Sequence, residues 1–153
     1  MKSQGSATGQ AVERTRSAAT LSLVAVSATV ILAAITHAAE FGYRALIAGL
    51  IGIALLCCMS ILYQRTKKNV FLLFYGALNA WVIIGFGLVN GFWNHAFKVF
   101  LTYLHNGSLP PFLAKLFMTP HTGSFLYEGA GALTFVLSMV ASYYGYRLIK
   151  EGR

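Results

Sequence analysis

Apolar residues along this chain do not alternate with polar ones; they come in long blocks separated by short polar breaks. The blocks run from Thr20 to Ala39, Ala45 to Tyr63, Val70 to Val89 and Phe125 to Ile149. The second and third hold no charged residue, and the fourth carries only Glu128 near its start and Arg147 near its end. A hydrocarbon layer of ~30 Å takes ~20 residues of helix to cross. Inside it a helix satisfies its own backbone hydrogen bonds. The pattern predicts an all-α integral membrane protein: a four-transmembrane-helix bundle spanning 20–153 as a single domain, behind a flexible cytoplasmic N-terminal tail at 1–19.

Between the third and fourth blocks lies a cap, residues 90–124, with a different texture. From Phe92 to His105 the apolar residues Trp93, Phe97, Phe100, Leu101 and Leu104 recur at helical spacing, and His95, Lys98, Thr102 and His105 fall on a separate stripe. That predicts an extra amphipathic helix in the membrane interface, with Trp93, Tyr103 and Lys98 as its interface anchors. Asn106-Gly107 and Pro110-Pro111 are its stop signals. Phe112 to Met118 is too short to span and is expected to fold back onto the bundle. Pro120 to Gly123 then turns the chain into the fourth helix, with Ser124 as its N-cap.

Composition agrees with the pattern. The 153 residues are 57% hydrophobic and 10% charged, whereas soluble domains carry roughly 25% charged residues. The net charge of +8 raises nucleic acid as a partner. However, the basic residues sit between apolar blocks instead of sharing one face, which argues against it. They read instead as orientation signals. Lys2, Arg14 and Arg16 precede the first block, Arg65, Lys67 and Lys68 follow the second, and Arg147, Lys150 and Arg153 close the chain. Only Arg44, Lys98 and Lys115 fall on the other side. The imbalance predicts both termini in the cytoplasm of a multi-pass plasma (inner) membrane protein. The first block, with Thr36-His37-Ala38 at its end, also resembles a cleaved signal peptide. It is longer than the usual ~7–15-residue apolar region, and an uncleaved helix is the preferred reading.

Once oriented, His37, Glu40, His95, His105, His121 and Glu128 all fall at or beyond the outer helix ends. His37, Glu40, His95, His121 and Glu128 form a candidate ligand or metal pocket: His37 and Glu40 are three apart on one helix face, and imidazole with carboxylate suits a metal. The plainer reading pairs Glu40 with Arg44. A haem held by two histidines is the other cofactor considered, but these histidines lie at helix ends and in loops, a poor place for buried axial ligands. Glu128 is a functional candidate because it is ionisable within a span. The helix dipole also favours a carboxylate in a first turn, and Lys98 or Lys115 is available to pair with it. Trp93-Asn94-His95 and Asn90 bring hydrogen-bonding groups beside aromatics, as a pocket for a lipid headgroup, quinone or isoprenoid would; an interface belt is the plainer reading. Cys57 and Cys58 are adjacent, lack metal spacing and read as buried thiols. The chain has no phosphate-binding loop, nucleophile elbow, zinc-protease or dinucleotide motif, and no catalytic residue is assigned.

Ala130, Thr134, Ser138 and Ser142 are spaced four apart in the fourth block, a small-residue stripe for helix packing. Ala45/Gly49, Ala48/Gly52 and Gly76/Ala80 repeat the spacing, and Asn79 sits mid-span, placed to bond a neighbouring helix. The pieces GFWNHAFK and YEGAGAL resemble small four-helix DoxX-like membrane proteins, which have a Gly-x-x-Lys in one helix and a glutamate-led, glycine-rich start to the next. The resemblance falls in helices three and four instead of one and two, and implies the four-helix fold and no role. The functional expectation is a non-catalytic accessory or structural subunit in the lipid bilayer, associating with other membrane subunits or with itself. The alternatives are a binding or redox protein using the outer His/Glu pocket, and a small transporter or channel.

Overall fold

The computed structural model describes residues 4–151, with side chains from residue 12 onward apart from residue 39. The start of the expected tail and its Lys2, like Arg153 at the other terminus, lie outside the described residues. Among them the only regular secondary structure is helix, and four helices are long and apolar enough to cross a membrane. They are α1 (Gln4–Phe41), α2 (Tyr43–Thr66), α3 (Asn69–Leu104) and α5 (Phe125–Glu151). A single short turn of helix, α4 (Pro111–Ala114), lies in the cap between the last two.

The connections follow from local chemistry. Gly42 alone joins α1 to α2, at φ 60° and ψ −145°, a conformation that only glycine adopts without strain. Lys67, left-handed at φ 55°, closes α2 by returning its N–H to the Tyr63 carbonyl. Asn106 and Gly107, at φ 55° and 95°, stop α3, with Gly107 N–H bonded to the Thr102 carbonyl at 2.9 Å. The expected stop at Asn106-Gly107 is therefore where the helix ends. Ser124 Oγ accepts the Tyr127 N–H at 3.3 Å, an N-cap contact for α5.

Two expectations about the helices change. The N-terminal stretch is not set apart from the first span: α1 is already helical from Gln4, and Ala18 and Ala19 are buried. Small side chains explain this. Ala18, Ser22, Ala25, Thr29, Ala33 and Thr36 form one buried face of α1, at the three- and four-residue spacing of a single helix stripe. The second change is larger. The segment from Phe92 to Leu104 is not a separate interfacial helix but runs on unbroken from the third span.

That continuation depends on an unusual stretch. From Ile83 to Phe97 the helix is of π type, with i→i+5 hydrogen bonds, a form normally confined to single turns. The buried positions from Val82 are then Gly87, Asn90/Gly91, Asn94/His95 and Lys98, a first step of five residues followed by steps of three to four. A 3.6-residue reading puts Trp93 and Phe97 on the packed side. In the wider helix the polar stripe turns inward, leaving Phe92 and Trp93 exposed.

In the bundle α5 packs against α1 on one side and α3 on the other, and α2 lies outside, against α1 and α3. The stripe expected on α5 is half right. Thr134 and Ser138 are fully buried, but Ala130 and Ser142 are only half-buried; the inward face is Gly131, Thr134, Ser138, Ala141, Gly145 and Leu148. Side chains bridge the helices along this face. Thr134 Oγ1 donates to the Phe86 carbonyl at 3.0 Å, and Ser22 Oγ and Tyr75 OH share a bond of 2.8 Å. Asn79 is buried beside Gly145, where any side chain would collide with its carboxamide.

Candidate functional site

The site is built where α3 and α5 approach most closely. Glycines make the approach possible. A Cβ at Gly91 would strike the Thr134 hydroxyl and the Phe135 backbone nitrogen, and one at Gly87 would strike Ser138. On α5, the space at Gly131 is filled by the His95 imidazole itself. Backbone proximity of this kind is what small residues provide between membrane helices.

Into this seam project three ionisable side chains. His95 and Lys98 come from α3, and Glu128 from the first turn of α5; they are 1%, 0% and 6% exposed. His95 Nδ1 lies 2.8 Å from Glu128 Oε2, and Lys98 Nζ lies 2.9 Å from Oε1. The Gly123 N–H also donates to Oε1, at 2.6 Å. The Lys98 ammonium spends its other two protons on Thr119 Oγ1 at 3.0 Å and the His121 carbonyl at 3.3 Å. All three donors of the ammonium are thereby used, as is usual for a charge taken out of water.

Asn94 holds the same loop from the next position. Its Oδ1 accepts the Met118 and Thr119 N–H groups at 3.1 and 3.3 Å. Nearby, the Trp93 indole donates to the Leu116 carbonyl at 3.0 Å, and Phe117 is buried against the Trp93 ring, with ring centroids 5.4 Å apart. The apolar piece Phe112 to Met118 does fold back onto the bundle, tied by its backbone to α3.

The five residues expected to form one pocket separate into four places. Only His95 and Glu128 meet. His121 contributes its backbone carbonyl, and its residue is exposed. Glu40 pairs with neither Arg44 nor Glu128; its Oε1 accepts the Tyr127 hydroxyl at 2.6 Å. His37 bonds the Ala33 carbonyl at 2.8 Å through Nδ1 and stacks on Phe41. Among the described residues, no three His, Cys, Asp or Glu side chains come together in a way that would hold a metal ion. Lys98 is not an interface anchor, since the wide helix turns it into the core; Trp93 and Tyr103 do stay on the outside, at 37% and 80% exposure.

Three features escaped the sequence reading. Lys98 was paired with Glu128 only as one of two options, and its double grip on the loop through Thr119 and His121 has no sequence signal. Asn90 is 2% exposed, and its amide nitrogen and oxygen are both without partners. The third is a cavity on the other side of α1, described below. As for chemistry, the cluster offers no nucleophile beside a base, and its carboxylate and ammonium are held by one another and by the loop.

No family model matches the sequence, and comparison with curated proteins and with solved structures finds no match. The class defined by the structure is therefore an all-helical protein with four helices fit to cross a membrane. The local DoxX-like resemblance extends to no family assignment.

Proposed function

We propose that this chain is a small multi-pass membrane protein acting as a non-catalytic accessory subunit, with its cap as the contact surface for another membrane subunit. The observation that supports this reading is the saturation of Lys98. A buried cation with every donor committed to Glu128, Thr119 and His121 is a latch, not a reaction centre. It fixes the loop before α5 to α3; the loop presents Phe112, Leu116 and Met118 outward, and the first turn of α5 adds Phe125 and Leu126. A stiff apolar surface loses little conformational freedom on association, which favours binding. In the orientation set by the basic residues, the cap faces out of the cytoplasm of the inner membrane.

The transporter reading is less well supported, because the charged cluster does not continue inward: below Asn94 the buried polar side chains of α3 and α5 are the neutral Asn90, Asn79, Thr134 and Ser138. The test is site-specific photocrosslinking in native membranes, with the photoreactive residue at Phe112 or Leu126 and a control at Leu73 on the flank of α3. A discrete adduct from the cap positions and none from Leu73 is expected. Absence of any cap adduct, with a lone monomer by native mass measurement, overturns the proposal.

A further inference from the structure

On the side of the bundle away from the ion cluster, α1, α2 and α3 form the walls of a half-open cavity of about 380 Å³, with Trp81 exposed at its edge. That is within the range of small-molecule sites, roughly 300–1,000 Å³. Its walls are apolar and mostly small on the α2 side, where Ala45, Ala48 and Gly52 face it, with Trp81 and Phe86 opposite on α3. A Cβ at Gly52 would meet no atom within 4 Å, so the space there is open and not a close helix contact.

The end of the cavity nearest the Gly42 turn is different. His37 and Arg44 line it. Among the described residues the Arg44 guanidinium forms no ion pair, and the nearest acid in sequence, Glu40, is engaged by Tyr127. His37 Nδ1 donates to the Ala33 carbonyl, so its other ring nitrogen is not used in that bond. The imidazole packs its edge on Phe86 at 6.1 Å, and Phe86 in turn meets Trp81 at 5.9 Å. A guanidinium is a strong bidentate partner for carboxylate or phosphate oxygens, and here it stands over an apolar shaft. From Arg44 to Gly52 is eight residues of α2, about 12 Å of depth at helical rise.

We infer that this cavity binds a single-chain anionic amphiphile, its carboxylate or phosphate head on Arg44 and its apolar chain running between α1, α2 and α3 past Trp81 and Gly52. The inference is independent of the accessory role. Charge complementarity selects the head, and the absence of any polar side chain along the shaft selects the chain.

Trp81 makes the test direct, because the chain has only two tryptophans and Trp93 can be replaced. The full-length Trp93→Phe protein in nanodiscs of zwitterionic lipid is titrated with a dibrominated fatty acid, with its methyl ester, and with a dibrominated lysophosphatidic acid. Trp81 fluorescence is read throughout. Saturable quenching by the acids, and only weak, non-saturating quenching by the ester, is expected; whichever acid saturates first identifies the head. Arg44→Gln is expected to raise the half-saturating mole fraction about tenfold, as loss of one charge-assisted contact would. Gly52→Leu, which fills the shaft, is expected to abolish saturation while leaving the emission maximum in neutral lipid unchanged. Equal quenching by acid and ester, or an unchanged midpoint in Arg44→Gln, overturns the inference, since Trp81 would then be reporting bulk lipid only.

Discussion

The two sides of α1 use the same kind of residue for opposite ends. Along α3 and α5, Gly87, Gly91 and Gly131 remove side chains so that backbones close on each other, and the gaps are filled by Ser138, Thr134 and His95. Along α2, Gly49 closes on Ala34 of α1 in the same way, but one turn on, at Gly52, a new Cβ would meet nothing, and Ala45, Ala48 and Gly52 border a space that no side chain fills. The first seam has its charges buried and mutually bonded; the second leaves a guanidinium without an ionic partner beside an open cavity. Small residues in a membrane helix thus mark either a contact or a vacancy, and only the opposing surface decides which.

The largest effect expected from this contrast lies in the ion cluster. Glu128→Gln leaves the Lys98 ammonium buried without its counter-charge, and removing one partner of a buried pair costs ~3–5 kcal/mol. Lys98→Met alone is expected to fall in the same range, because Glu128 then keeps only His95 and Gly123 as partners. Replacing both, Lys98→Met with Glu128→Leu, removes both charges and is expected to recover more than half of either single loss. Unfolding by SDS titration in mixed micelles measures all three. If the double variant is as unstable as the sum of the singles, the cluster is not acting as one pair.

A smaller effect is expected from the glycines of the tight seam. Gly131→Ala places a methyl group into the His95 ring, and Gly91→Ala places one into Thr134 and the Phe135 backbone. Overpacking of this kind costs ~1–3 kcal/mol. Gly129→Ala, on the outer face of the same turn and facing open space, is the control and is expected to be neutral or slightly stabilising. Should Gly131→Ala behave like Gly129→Ala in the same titration, α3 and α5 are not packed as closely as the geometry has them.

The four spans were legible because their signal is length and apolarity, which need no partner to interpret. The Asn106-Gly107 stop of the cap was legible for the same local reason, whereas Pro110 and Pro111, expected as a further stop, instead open α4. The site was legible only in part. Glu128 stood out as an acid in a span, and Lys98 as one of its possible partners. That the Lys98 stripe faces the core follows from the π-type stretch from Ile83 to Phe97, whose five-residue step from Val82 to Gly87 no 3.6-residue pattern anticipates. That stretch rotates His95 and Lys98 from an expected surface stripe into the core, while Trp93 and Phe92 go out. The buried face of α1, Ala18 through Thr36, was readable at helical spacing and was passed over because its residues are small and half of them polar. His37, Glu40 and His121 were grouped with His95 on the strength of a shared end of the bundle. A shared end fixes height, not direction, and the three point to the cavity, to Tyr127 and to the exterior.

The smallest effect is the most discriminating, because it separates vacancy from contact. Gly52 is a glycine in the interior of α2 with no neighbour within reach of a new side chain. In the tight seam a larger residue destabilises by collision. Here Gly52→Leu meets open space, and leucine gains on glycine by close to ~1 kcal/mol in helix propensity alone. The expected outcome is an unfolding midpoint equal to or slightly above that of the parent, opposite in sign to Gly131→Ala in the same assay. Ala48→Leu, another wall of the cavity, is expected to follow it with a smaller change, since alanine is already the best helix former. A loss of more than ~1 kcal/mol at Gly52 would mean that the space there is closed as it is at Gly49, where a Cβ would strike Ala34, and the contrast with the α3–α5 seam would fall.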